Sequence, residues 1–356
     1  MGTRLFRTID TKGIVSEKPP LNLADRGFVV VSKKPEDHRF FTQLANSLGM
    51  ECRVVLDRHR AQTEIISIAE PWIIWDIDAR RDQAAHSWKF SANIEDVIRT
   101  HIGSARVFAL SNQSVSNHPG LFINTPVFQY QIIRRYQESS LNLATEIFRM
   151  MGDNELNDSW NLIASGQIKL STKDEQKEAF AAKFSEFCSA KNIGERIEAK
   201  LTEVYSELVA NAIFNAPVTN RGIPLYKLDD RSKQRVLSDR EQVKIEFFAS
   251  EKWGCFRVSD QFGSVTKEAI QKVFGRDFRK TKLELQASGT GVGIGLYTIL
   301  ESGFSLIYNS QPGRKTEVSA FFLITPSMKE LKEVMQFSGF FGGLQSKRTV
   351  SMAELV

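Results

Sequence analysis

Glu207, Asn211 and Asn215 recur at every fourth position of the run ELVANAIFNAP, residues 207–217. On a helix that spacing stacks a carboxylate and two amides along one face, where they can point into one pocket. Taken alone, the same pattern also describes an amphipathic helix with a polar outer face. Further along, Asp260 closes the apolar run GCFRVSD, an expected strand that would carry its carboxylate to the floor of a pocket. An ionised carboxylate only accepts hydrogen bonds, so it would take the amino group of adenine and leave the carbonyl of guanine unpaired. Gly263 lets the backbone come close at that point. Then Gly289, Gly291, Gly293 and Gly295 alternate through GTGVGIGL. Glycine at every second position leaves backbone amides bare to wrap phosphate oxygens, here before a helix opening at Leu296 and Tyr297. A glycine-rich hinge without ligand is the other reading of that ladder. The sequence lacks a Gly-Lys-Ser/Thr ending and a GxGxxG register, which excludes a P-loop and a dinucleotide fingerprint.

These segments, in this order, resemble the nucleotide pocket of the GHKL ATP-binding superfamily of gyrases, heat-shock chaperones and sensor histidine kinases. The resemblance implies an α/β sandwich, a mixed sheet covered by helices, that binds ATP with Mg2+. By position, Asn211 would hold the metal through its amide oxygen, and Glu207 would be the general base. Asp260 would read adenine, the glycine ladder with Leu296 would hold the phosphates, and Thr316, leading into the last strand, would touch the pocket. Residues 264–288 correspond to a mobile lid and carry Arg276, Arg279, Lys280 and Lys282. Two positions depart from the superfamily: Phe262 and Ser264 stand where glycines usually follow the aspartate.

Within the superfamily, residues 168–324 resemble the anti-sigma-factor serine kinases, with Glu207 one turn before Asn211. The five histidines, His38, His59, His86, His101 and His118, all precede this region, so a phosphoacceptor histidine of the sensor-kinase kind is not expected. The resemblance implies a serine/threonine protein kinase acting on a regulatory partner: a sigma factor, an anti-anti-sigma factor or a response regulator. A non-catalytic ATP-gated interaction module and a histidine-kinase catalytic half working in trans are the alternatives.

The elements that precede this pocket read differently. FVVVS from Phe28, CRVVL from Cys52, WIIWDI from Trp72 and RVFAL from Arg106 are short β-branched or aromatic runs separated by helical stretches, the pattern of a parallel α/β unit. Pro35, Glu36 and Asp37 crowd a helix start; Phe40, Leu44 and Leu48 recur at spacing four, and Gly49 stands at the stop. A second helix is expected around Asn93 to Ile102. The alternation resembles a flavodoxin-like receiver domain of two-component signalling. In receivers an acidic pair follows the first strand, but here Ser32, Lys33 and Lys34 do. Asp76 and Asp78 end the third strand, as phosphoacceptors or as plain strand-end caps; Ser111 follows the fourth, and the loop INTPVF offers no lysine. A degenerate, protein-binding receiver is the resulting expectation.

From Thr125 and Pro126 a long helix is expected, carrying Ile132, Ile133, Tyr136, Leu143, Ile147 and Met150 on its apolar side. It would link the domains, dimerise the chain or pack on its own domain, so a homodimer is left open. The expected division is a lead-in over 1–26, a receiver-like domain over 27–125, the helix over 126–152, the ATP-binding domain over 153–325 and a tail over 326–356. The tail contains FSGFFGGLQSKRTV, read as a docking tail or an ordered wrap.

Composition sets the outer bounds. In 356 residues, 42% are hydrophobic and 25% charged, enough for ordinary cores. Apolar runs such as FVVV and WIIW fall far short of the roughly 20 residues needed to cross a bilayer, and MGTRLFRTID lacks the apolar centre of a signal peptide, so a cytoplasmic protein is expected. The formal charge of +5 is dispersed, which argues against nucleic acid. Cys52, Cys188 and Cys255 have neither metal-ligand nor disulfide spacing.

Overall fold

The computed structural model describes residues 26–56, 58–78, 98, 105–113, 128–153, 160–219, 221–226, 229–274, 299 and 302–342. Its elements run β1 (Arg26–Val31), α1 (Pro35–Leu48), β2 (Glu51–Val55), α2 (Arg58–Ile66), β3 (Glu70–Asp76), β4 (Arg106–Ser111), β5 (Tyr130–Ile133), α3 (Glu138–Asp153) and β6 (Asn161–Ile168). There follow α4 (Glu175–Ala190), α5 (Glu195–Ala210), a π-helical turn (Asn211–Asn215), β7 (Val243–Ala249), β8 (Trp253–Asp260), α6 (Lys267–Phe274), β9 (Ser305–Gln311), β10 (Lys315–Leu323), α7 (Met328–Glu333) and β11 (Gln336–Gly342).

All the strands join one sheet of eleven, in the order β2-β1-β3-β4-β5-β11-β9-β10-β8-β7-β6. The first five are parallel to one another. β6, β7, β8, β10 and β9 form an antiparallel run. β11 joins the two sets, antiparallel to β5 on one side and parallel to β9 on the other. Strand alternation then gives the sheet two separate cores. Phe28, Val30, Trp72, Ile74, Phe108, Leu110 and Phe321 point to one face, beneath α1 and α3. Val29, Val31, Ile73, Val107, Ile245, Phe256 and Phe322 point to the other, which α2, α4 and α5 cover.

Local chemistry explains α1 well. Proline opens it, Glu36 and Asp37 sit in its first turn, and Gly49 ends it at φ 67°, donating its N–H to Ala45 and Asn46 carbonyls. Phe40, Phe41, Leu44 and Leu48 are the buried face. α3 lies flat against its own sheet: Phe148 packs on Phe28, Trp72, Phe108 and Phe337, and Leu143, Ala144 and Ile147 are buried with it.

Two stretches differ from the sequence reading. Residues 130–133, expected inside a helix begun at Thr125 and Pro126, form β5, and the helix starts only at Glu138. The four residues YQII are too short to show a strand period, while Ile132, Ile133 and Tyr136 also fit a helical stripe. Residues 328–342, expected as part of a tail, form α7 and the strand that unites the sheet. The lead-in, nearly all of the helix expected at Asn93 to Ile102, and the chain after Gly342 lie outside the described residues.

No helix among the described residues is long and apolar enough to cross a membrane. The three cysteines are unpaired, with burial raising the thiols of Cys188 and Cys255 to about 12.

Candidate functional site

α5 and the π-helical turn carry the first half of the site. α5 buries Ile197, Leu201, Val204, Tyr205 and Leu208 on the sheet, and this fixes the rotation at which Glu207 emerges. At Asn211 the backbone widens, with Ala216 N–H donating to the Asn211 carbonyl at 3.0 Å. Single π turns of this kind occur often at functional sites. Here the turn keeps three polar side chains in contact: Asn215 Nδ2 donates to Asn211 Oδ1 at 2.5 Å, and Asn211 Nδ2 donates to Glu207 Oε1 at 3.1 Å. The Asn215 Oδ1 atom at the end of this relay is buried and has no hydrogen-bond partner.

The sheet supplies the other half. Asp260 is the last residue of β8 and stands opposite Thr316 in the β8–β10 register. Its carboxylate is 5% exposed, and burial raises its pKa to about 6, opposed by the N–H groups of Phe262 and Gly263, which donate to Oδ1 at 2.8 and 3.4 Å. The turn after β8 depends on Gly263. It has φ 57°, and a Cβ there would lie 1.9 Å from the Gln311 carbonyl oxygen. Phe262, where a glycine was expected, is buried beneath the Arg240 guanidinium, 5.0 Å from its ring centre.

Between these halves lies a cavity of about 300 Å³. Glu207, Asn211, Asn215, Asp260 and Thr316 all line it, and Val258, Val318 and Ile270 give it apolar walls. The structure thus brings together five of the residues singled out in the sequence, spread over more than a hundred positions, with Gly263 lying in the turn that holds Asp260. Gly289, Gly291, Gly293, Gly295 and Leu296, together with the lid cations Arg276, Arg279, Lys280 and Lys282, lie outside the described residues. Of the 264–288 segment, Ser264, Val265, Ala269 and Ile270 reach the cavity.

The sequence reading missed Tyr308. It sits on β9 opposite Val318 and lines the same cavity, its phenol pushed up by burial and by the nearby Glu207 charge. The signal was faint: one phenol in the short run SLIYNS.

A rim follows the π turn. Arg235 stacks 3.4 Å from the centre of the Tyr226 ring, pairs with Glu241 at 2.8 Å and donates to the Ile213 carbonyl at 3.4 Å. It thereby satisfies a carbonyl at the end of the helix that carries Asn211 and Asn215.

A second polar group lies elsewhere, at the carboxyl ends of β1, β3 and β5. Asp37, Asp76 and Asp78 converge there on Arg134, the residue after β5. The sequence reading found no cation at this place because it looked for one in the loop INTPVF and put Arg134 inside the helix begun at Thr125 and Pro126, where the structure has the end of β5.

Residues 196–326 match the family described as histidine kinase-, DNA gyrase B-, and HSP90-like ATPase, HATPase_c. The matched segment runs from α5 through β10 and holds every residue that lines the cavity. The chain therefore carries an ATPase-family domain of the GHKL superfamily there, within a mixed α/β structure. A comparison with curated proteins finds no match.

Proposed function

We propose that the cavity binds ATP with magnesium and that the chain is a signalling regulator, a serine/threonine protein kinase of the anti-sigma-factor type. One observation carries the reading: a buried carboxylate, Asp260, shares a cavity with the Glu207–Asn211–Asn215 relay. The donor set suits the ligand. Asp260 offers an acceptor for the adenine amino group, apolar Val258, Val318 and Ile270 suit the ring, and the unpartnered Asn215 oxygen and the neighbouring Asn211 amide suit a hard cation.

Bound magnesium would supply charge neutralisation at the phosphates. The chain's own residues do the rest. Asn211 holds Glu207 through Oε1, so Oε2 is the oxygen that takes the proton of the attacking hydroxyl or water. Asn215 fixes Asn211 in turn. Tyr308, uncharged, closes the cavity beside Glu207 without adding a competing charge.

The parallel half is proposed to be a receiver-like, protein-binding domain that controls the ATP-binding half. Its support is the strand order β2-β1-β3-β4-β5, that of flavodoxin-like sheets, and the single sheet both halves share. Partners of the class expected are a sigma factor, an anti-anti-sigma factor or a response regulator.

The test is Glu207→Gln. With labelled ATP, magnesium and cell extract, the variant keeps nucleotide affinity and loses transfer by roughly 10²–10⁴-fold. Undiminished regulation of a partner by this variant would favour the non-catalytic ATP-gated module. Absence of ATP binding by the wild-type chain would end both readings.

A further inference from the structure

The carboxyl ends of parallel strands are where open α/β sheets take ligands, above all at the place where the strand order reverses. In this sheet that place lies between β1 and β3. Asp37, in the first turn of the α1 helix that follows β1, and Asp76, at the end of β3, flank it. Both are buried, at 0% and 2% exposed.

What fills the space between them is the Arg134 guanidinium. Nε donates to Asp37 Oδ1 at 2.8 Å; Nη2 donates to Asp37 Oδ2 at 2.9 Å and pairs with Asp76 Oδ1 at 2.6 Å; Nη1 donates to Asp78 Oδ2 at 2.8 Å. Nη1 also lies 3.5 Å from Asn112 Oδ1. The fork of five N–H groups is spent on the cluster.

The acceptors are spent as well. Tyr136 hydroxyl donates to Asp37 Oδ1 at 2.5 Å, and Ser32 hydroxyl lies 2.5 Å from Asp37 Oδ2. Asp78 N–H donates to Asp76 Oδ1 at 3.0 Å, Ser111 hydroxyl to Asp78 Oδ1 at 3.1 Å, and Asn112 N–H to Asp78 Oδ2 at 2.7 Å. The remaining oxygen, Asp76 Oδ2, lies 3.4 Å from the Ser32 hydroxyl. Lys34 adds a second cation 4.0 Å from Asp78 at the open side. A hard divalent ion needs several oxygens free at once, and among the described residues no carboxylate, histidine or cysteine group is arranged to hold one. Burial works against the charge on Arg134, but Asp37 and Asp76 outweigh it and raise its pKa, so the cation is permanent.

We propose that this is a closed cation site in which Arg134 is the resident ion, so that the Asp37, Asp76 and Asp78 cluster takes up no divalent metal while that side chain is in place. Removing the guanidinium, not adding a ligand, is what would open it. This does not depend on ATP binding in the other half.

The experiment titrates the full chain with Mn2+ in the absence of nucleotide, reading free ion by electron paramagnetic resonance. Wild-type protein is expected to show no uptake sensitive to Asp76→Asn up to about 1 mM. Arg134→Gln is expected to gain one site at least about tenfold tighter than that limit, abolished by adding Asp76→Asn. Wild-type uptake that Asp76→Asn removes would overturn the proposal, as would a folded Arg134→Gln protein that gains nothing. Should Arg134→Gln fail to fold, the wild-type titration against Asp76→Asn decides alone: uptake removed by that change overturns the proposal, and none supports it.

Discussion

Arg134 and Asp37 stand 97 residues apart and meet through two parallel hydrogen bonds, Nε to Oδ1 at 2.8 Å and Nη2 to Oδ2 at 2.9 Å. The pair ties the residue after β5 to the first turn of α1, with both side chains buried. Removing Asp37 leaves Arg134 its partners Asp76 and Asp78, but strips the Arg134 Nε–H and the Tyr136 hydroxyl of their buried acceptor. Asp37→Ala is therefore expected to cost about 2–4 kcal/mol, read as a lower denaturant midpoint. An equal midpoint in the variant would show that the pair is not buried in solution.

Asp260 gives a pH signature. Burial raises its pKa from 3.8 to about 6, so the folded chain keeps a proton that the unfolded chain releases. Stability from this group is thus greatest below about pH 4 and falls by roughly 3 kcal/mol as pH rises to about 6, with no further change above. Asp260→Asn should remove that slope from urea midpoints measured across the window. Since an amino donor favours the ionised carboxylate, nucleotide binding near pH 6 should also release protons. Calorimetry in two buffers should detect the release in the wild type and find it reduced in Asp260→Asn.

Gly263 and Gly313 both have positive φ, 57° and 71°, but their surroundings differ. A Cβ at Gly263 would meet the Gln311 carbonyl at 1.9 Å, whereas nothing lies within 4 Å at Gly313. Gly313→Ala should cost about 1 kcal/mol, the price of the left-handed backbone alone. Gly263→Ala must in addition move the β9–β10 turn away from Asp260, so thermal unfolding should show a clearly larger loss. Equal losses would mean that the turn yields freely.

Asn215 touches Glu207 only through Asn211. Asn215→Ala should leave the fold intact while raising the magnesium concentration for half-maximal turnover at least about tenfold, because it removes both an oxygen proposed for the cation and the bond that orients Asn211. An unchanged magnesium dependence would remove Asn215 from the relay.

The lining of the cavity was more legible in the sequence than the fold, for reasons that individual residues make plain. Glu207, Asn211 and Asn215 declare themselves by spacing on a single helix, and Asp260 by its place at the end of an apolar run. α1 announces its ends through Pro35 and Gly49. β5 and β11 do not, because their pairing is long-range: Ile132 lies opposite Phe337, some two hundred residues later. FSGFFG looks like a loose segment until Gly339 is seen against the Tyr130 ring, where a Cβ would come 2.1 Å from a ring carbon. The Arg134 cluster was hidden in the same way. Asp37 looked like a helix-start residue and Asp76 a strand cap because their common partner lies at the end of a strand that local pattern could not place.

β11 occupies the centre of the sheet yet comes last among the described elements. During synthesis β5 and β9 therefore leave the ribosome with bare edges that no earlier segment can cover. Until residues 336–342 emerge and zip between them, the nascent chain carries two sticky flanks open to chaperones, or to another nascent copy.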